Sequence, residues 1–296
     1  MSLSSGNNPL AWNYQQLSDL LALETVAPLQ FRNYFHDSNL NGRTFGGQIL
    51  GQALAAAMAS VEARPPTALQ LLFLQGGDVE SPIDFQVTPL QDGKRFSSRH
   101  VRAAQHGRFI CDAHVSFQEA AQGVEYSETF SEDIPEPETL RTMTELGLDY
   151  AAEVEAHGWR LYEKPCLSLC IVDHQQHLFE TGTTPRLVFW LKLHNPLENR
   201  PGEHYAALAY LSDFWVASSS MTGHTPLAAT RGKLYVSSLN HSIWFHGEPR
   251  ADDWLLFISD NVRTEAGRGL SIARVYDRAR RHIATITQEC LISAAR

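Results

Sequence analysis

The segment AGRGLSIARV, residues 266–275, repeats the pattern of DGKRFSSRHV, residues 92–101. Gly93, Phe96, Ser97 and Val101 answer to Gly267, Leu270, Ser271 and Val275, all at a constant offset of 174 residues. Recurrence at a fixed spacing marks a duplicated unit. Each copy continues through a turn-like stretch, AAQHGR at 103–108 or YDRARRH at 276–282, into a strand-like segment ending near a glutamine, Gln118 or Gln288.

Outward from these pairs, each half reads as a helix followed by strands. In GGQILGQALAAAMASV, residues 46–61, Ile49, Leu50, Ala53, Leu54, Ala57, Met58 and Val61 recur at helical spacing behind Gly46 and Gly47. Gly47, Gly51, Ala55 and Ala59 recur every four residues, so one face is small enough for another surface to approach the backbone. The expected partner is a sheet; the polar neighbours exclude a membrane-type helix pair. FQVTPL (85–90), SSRHVRAA (97–104), FICDAHVSF (109–117), LVFWLKLH (187–194), WLLFISDNV (254–262), LSIARVYD (270–277) and IATITQECLI (283–292) read as strands from their β-branched and aromatic content. Helix then sheet, twice over, gives an α+β fold.

The 296 residues suffice for two ordinary domains. A net charge of -9 argues against nucleic acid as the main partner, because duplex binding relies on neutralising phosphates with a basic surface. No apolar run approaches the roughly 18 residues of a membrane span. The stretch MSLSSGNNPLAWN lacks a basic region followed by an apolar one, and Ala294-Ala295-Arg296 is not a peroxisomal address, so a cytoplasmic location is expected. Cys111, Cys166, Cys170 and Cys290 are too few and scattered for a disulfide scaffold or a paired zinc motif. His174 and His177, and His241 and His246, lack nearby acidic or thiol ligands, so no metal site is expected.

Between Glu119 and Glu155 eleven acidic residues stand against one base, Arg141, which marks a connector. Pro135 and Pro137 interrupt regular structure there, and the stretch before Pro165 reads as one or two surface helices. Its charges read as a solvated face. The expected organisation is a first repeat over 1–120, an acidic connector over 121–164 and a second repeat over 165–296.

Elbow, HExxH, P-loop and dinucleotide glycine motifs are absent. Three residues remain as candidates for chemistry. Asp213 sits among Leu208, Tyr210, Leu211, Phe214, Trp215 and Val216, so its carboxylate is either hydrogen-bonded or perturbed, as suits a general base. The alternative is that Ser212 or Asp213 caps a helix N-terminus. Strand alternation puts Gln288 on a face with Ala284, Ile286, Cys290 and Ile292, where an amide needs partners, in a site or in a neighbouring loop backbone. Gln118 has the opposite parity relative to Ala113, Val115 and Phe117, so one competent site is expected. Ser237 and Ser238 precede an aromatic-rich strand; either is a turn serine or a hydroxyl that orients water.

FGGQILGQAL (45–54), FLQGGD (73–78), LQDGKRFSSRHV (90–101), AYLSDFWV (209–216), SLNHSIWFH (238–246) and ATITQECLI (284–292) together resemble the type II (TesB-type) acyl-CoA thioesterases. The resemblance runs from about Leu17 to the C-terminus and implies a double hot-dog fold: two tandem repeats, each an antiparallel sheet wrapped around a long helix. It further implies hydrolysis of fatty acyl-CoA, with no cofactor, by water held by an aspartate, a hydroxyl residue and a glutamine, here Asp213, Ser238 and Gln288. Serine stands at 238 where the best-known bacterial members have threonine, and Gln70 and Gly76 depart from the family pattern. By analogy with related hot-dog folds, the amides of Gly46 and Gly47 are expected at the oxyanion. The charge of CoA calls for cations, for which Arg268, Arg274 and Arg278 are candidates; an exposed strand face and turn is the alternative reading of them. A homodimer or homotetramer is expected from the same resemblance. Two other functions are a non-catalytic acyl-CoA sensor and a hot-dog enoyl-CoA hydratase, the latter needing a histidine a few residues from its aspartate in one loop, which Asp213 lacks.

Overall fold

Alternating apolar runs form strands where the pattern predicts, and the computed structural model describes residues 8–128, 130–161, 163–182 and 184–295, without the side chains of 231 and 232. Residues 1–7 of the stretch read for a leader, and Arg296, lie outside the described residues. The chain divides into two compact units, Met1–Ala121 with Leu197–Tyr210, and Gln122–Pro196 with Leu211–Arg296.

Up to Ala121 the elements are α1 (Leu17–Leu21), β1 (Leu23–Ala27), β2 (Gln30–Asn33), α2 (Gly46–Met58), β3 (Pro66–Phe73), β4 (Asp84–Asp92), β5 (Phe96–Gln105) and β6 (Arg108–Gln118). Beyond it come α3 (Met143–Asp149), α4 (Ala151–His157), β7 (Leu167–Ile171), α5 (His174–Phe179), β8 (Arg186–Leu193), α6 (Glu203–Ser212), α7 (Ser219–Thr222), α8 (Thr230–Lys233), β9 (Leu234–Phe245), β10 (Leu255–Glu265), β11 (Arg268–Tyr276) and β12 (His282–Ala294). The strands of the first unit lie in the order β1-β2-β4-β5-β6-β3, those of the second in the order β7-β8-β10-β11-β12-β9. Adding six to each number of the first order gives the second, and the neighbours within each unit pair antiparallel. The duplication read from 92–101 and 266–275 is therefore a duplication of topology, with β5 answering to β11. The fold is the expected α+β double hot-dog.

Helix α2 packs on β3, β4, β5 and β6 through residues such as Leu50, Ala53, Leu54 and Ala57. The small face does something else than expected: it meets a helix and not a sheet. A Cβ on Gly47 would lie 2.2 Å from the carbonyl oxygen of Tyr210, and one on Gly51 2.9 Å from that of Ala206, both on α6. Only glycine allows two helix backbones so close.

Helix α6 belongs to the first unit as far as Tyr210, and in the second unit the helical element is broken. Helix α6 ends at Ser212, and the turns packed on the second sheet are Val216–Ser218 and α7. Between them Trp215 takes a left-handed backbone, φ 69°. The acidic connector forms α3, opened by a Thr142–Glu145 capping box, and α4, closed by left-handed Gly158, which are the two surface helices expected. It is more than a solvated face, since Ile134 and Phe130 pack with Trp190, Leu256 and Tyr276, and Trp190 Nε1 donates to Pro135 O. Among the described residues no helix is long and apolar enough to cross a membrane.

Candidate active site

Helix α6 ends in a run, Ala206 to Ser212, that is buried throughout. Asp213 follows its last residue, so neither Asp213 nor Ser212 caps a helix N-terminus; the next helical turn begins only after Trp215. A carboxylate just beyond a helix C-terminus faces the negative end of the dipole and needs donors from elsewhere. Its side chain is only 6% exposed, and two donors reach it. Ser238 Oγ donates to Asp213 Oδ1 at 3.0 Å, and Gln288 Nε2 donates to the same oxygen at 2.5 Å. Gln288 Nε2 also donates to Ser238 Oγ at 2.9 Å, which closes a triangle. The carboxylate is thus hydrogen-bonded, the first of the two conditions its apolar setting required.

Ser238 is not a turn residue but lies inside β9. Residues 238 and 241 are three apart and would point to opposite faces of a regular strand. The ladder between β9 and β12 slips at Leu239: Asn240 pairs with Glu289, whereas Ser238 pairs with Cys290. This bulge turns both Ser238 and His241 toward the face that carries Gln288 and Cys290, a known use of bulges beside sites. The sequence gives no glycine or proline to announce it.

His241, cross-strand partner of Gln288, is a neighbour that the sequence, read for metal-ligand spacing, does not point to. Its Nε2 lies 2.9 Å from Ser212 Oγ and its Nδ1 4.0 Å from Asp213 Oδ1. Burial pushes this imidazole down to about 3, so the 4.0 Å approach is not an ion pair. A histidine therefore does stand near Asp213, brought by β9 and not by a loop next to Asp213 in sequence. Two buried atoms here have no hydrogen-bond partner, His241 Nδ1 and Gln288 Oε1.

Ser271 of β11 lies opposite Gln288, and with Ser219, Ser220 and Ser259 it forms a buried set of mutually bonded hydroxyls. In the first unit Ser97, the counterpart of Ser271, lies opposite Phe117 and not Gln118. The position that carries the amide in one copy is thus a buried phenyl ring in the other, which agrees with the parity argument for a single site.

The remaining candidates are carried by other elements. Gly46 and Gly47 open α2 in the first unit, and the approach of α6 already accounts for Gly47. Arg268 pairs with Glu289 at 2.8 Å, Arg274 with Glu128 at 3.1 Å and Asp260 at 3.2 Å, and Arg278 with Glu138 at 2.9 Å. Two of the three are thus held by the acidic connector, as are Arg186 by Glu132 and Arg280 by Glu136. His100, Asp112 and His114 bring three potential metal-ligand atoms within 4.8 Å of one another. Arg102 lies 3.4 Å from the same carboxylate, so a cation there would meet a positive charge.

Residues 36–118 match the family described as Acyl-CoA thioesterase N-terminal domain, and residues 147–292 the Acyl-CoA thioesterase C-terminal domain. The chain is 31% identical over 290 residues to Acyl-CoA thioesterase 2 of Haemophilus influenzae, covering 93% of this chain and 96% of that one. It is 29% identical over 294 residues to Acyl-coenzyme A thioesterase 8 of Mus musculus, covering 93% and 88%. The crystal structure of the acyl-CoA thioesterase II TesB2 from Mycobacterium marinum superposes with a TM-score of 0.76 at 27% identity, covering 94% of this chain and 97% of that one.

Proposed function

We propose the following for a chain that belongs to the acyl-CoA thioesterase family: it hydrolyses an acyl-CoA to the free acid and CoA, with Asp213 as the base toward the attacking water. The convergence of Asp213, Ser238 and Gln288 from a helix end and two strands is the observation that carries this reading. Water attacks the thioester carbonyl as Asp213 takes its proton, and the carbon–sulfur bond breaks as the tetrahedral intermediate collapses. A thiol pKa of about 8.5 lets CoA leave as thiolate with little acid assistance. No cofactor is needed for these steps.

Ser238 donates its hydrogen to Asp213, and Gln288 donates to Asp213 and to Ser238, so both fix the carboxylate and offer acceptors to the water. Ser238 Oγ keeps a lone pair, and Gln288 Oε1 is buried without a partner. Ser238 lacks the base of a serine nucleophile, because His241 is bonded to Ser212 instead. Direct attack by water, without an acyl-enzyme, follows.

Gly46 and Gly47 are proposed as oxyanion donors on the strength of amides at a helix start. Of the arginines, Arg268 suits a CoA phosphate best, since its partner Glu289 also accepts from Asn240 and would not be left bare. A phosphate at Arg274 or Arg278 would have to displace the connector. A fatty acyl chain as the acid portion and a homodimer or homotetramer are proposed on the resemblance alone, and a cytoplasmic location on the sequence signals read above.

The test is release of free CoA thiol from acyl-CoAs of increasing chain length, with Asp213→Asn beside the wild type. Turnover lost in the variant, with acyl-CoA binding retained, is expected. Binding without turnover by the wild type would favour the sensor; equal turnover by both would reject Asp213 as base.

A further inference from the structure

We propose that His241 is a positioning residue for Asp213: its imidazole, anchored through Nε2 to Ser212, presents Nδ1–H to the Asp213 carboxylate and holds that carboxylate in line for the water. This rests on the reading of Asp213 as the base.

Three observations point the same way. First, His241 is completely buried, yet Nδ1 has no hydrogen-bond partner. An unmet buried polar atom destabilises a fold, so an apolar side chain would serve the core better, and stability does not explain this histidine. Second, Nδ1 faces a carboxylate oxygen at 4.0 Å while Nε2 lies 2.9 Å from Ser212 Oγ. The carboxylate selects the tautomer with hydrogen on Nδ1, because the other would set a lone pair against its charge. Nε2 is then the acceptor, and Ser212 O–H donates to it. Third, the bulge at Leu239 is what lets Ser238 and His241 share one face; a regular strand would forfeit one of them.

The 4.0 Å separation is longer than a hydrogen bond, and such contacts commonly tighten only when substrate is bound. Neutrality matters here. An imidazolium would hold the carboxylate as an ion pair and make it a poorer base, whereas a neutral N–H orients it and leaves its lone pairs available. Ser212, His241 and Asp213 also follow the order of a nucleophilic triad, but Ser212 is completely buried on a helix, out of reach of a thioester carbonyl.

Two near-isosteric replacements separate the nitrogens. An asparagine amide nitrogen falls near the place of Nδ1, and a glutamine amide nitrogen near that of Nε2. His241→Asn is expected to keep kcat close to the wild type, while His241→Gln lowers it about tenfold or more with KM little changed, the loss expected for a hydrogen bond to a charged group. Ser212→Ala is expected to give a partial fall in kcat, with the fold checked by circular dichroism. In the Asp213→Asn background, His241→Gln should have no further effect on residual turnover. Wild-type kcat in His241→Gln, or an Asn variant as poor as the Gln variant, overturns the proposal, as does an acyl-enzyme on the wild type lost in Ser212→Ala. Full turnover by Asp213→Asn rejects the base assignment itself, whereas an inactive Asp213→Asn beside an unimpaired His241→Gln rejects only the role of His241.

Discussion

Gln288 Nε2 lies 2.5 Å from Asp213 Oδ1, a contact that spans 75 residues of chain and uses one amide hydrogen while the other goes to Ser238. Because both hydrogens are committed, the amide orientation is fixed. Gln288→Ala removes two donors from a triangle of three residues. We expect kcat to fall about 10- to 100-fold, since bonds to a charged group contribute about 1.5–3 kcal/mol each. Gln288→Glu should fare worse, as it sets a second carboxylate against Asp213. Steady-state kinetics of both variants check this; an active Gln288→Glu enzyme would contradict the assigned contacts.

Trp215 holds a left-handed backbone two residues after Asp213, a conformation that costs a non-glycine residue roughly 1–2 kcal/mol. Trp215→Gly and Trp215→Ala lose the same ring and differ mainly in backbone freedom. The glycine variant should be the more stable by about 1 kcal/mol in denaturant unfolding. Equal stability would mean that the break after α6 carries no strain.

His241 gives stability a defined pH dependence. Folded, it stays neutral down to about pH 3; unfolded, it takes up a proton near its ordinary value of 6.5. Its folded value is depressed, so the unfolded state binds more protons between these limits and stability falls as pH drops through them. The contribution is complete above about pH 6.5 and declines by up to about 1.4 kcal/mol per pH unit below it. Melting temperatures between pH 4 and pH 8 should therefore fall less steeply on the acid side in His241→Asn than in the wild type.

All four cysteines are buried. Burial pushes Cys111 and Cys170 up to about 12 and Cys290 up to about 11, so none of these three is a thiolate at working pH. The native protein should give no reaction with an aromatic disulfide reagent at pH 8, and four thiols after denaturation. Fast labelling of the native state would show that a core strand opens.

Much of the fold was legible because burial leaves a periodic trace. The face of Ala284, Ile286, Gln288 and Cys290 in β12 is the face that the alternation predicts, and the helix from Gly46 ends near where its apolar spacing ends. Asp213 and Gln288 could be singled out because each is a polar group in an apolar run. Ser238 and His241 could not be placed on one face, since that depends on a one-residue slip at Leu239 that leaves no compositional mark. The partner of the Gly47 and Gly51 face was misjudged for a similar reason: small residues announce a close approach without saying what approaches. The connector's carboxylates read as solvated because their arginine partners, from Arg186 to Arg280, lie as far as 146 residues away.

The first unit is not contiguous in the chain, as it includes Leu197–Tyr210. That has a consequence for the order of events during synthesis. A ribosome that has delivered Ala121 must still add about 90 residues before Tyr210 emerges, which at roughly 5–20 residues per second takes between about 4 and about 18 seconds. Until then Gly47 and Gly51 have no helix to receive, and Asp37 lacks the hydroxyl of Tyr210 that bonds it at 2.8 Å. The amino-terminal half thus waits, with its small-residue groove open to other chains, for a segment encoded in the half that carries the chemistry.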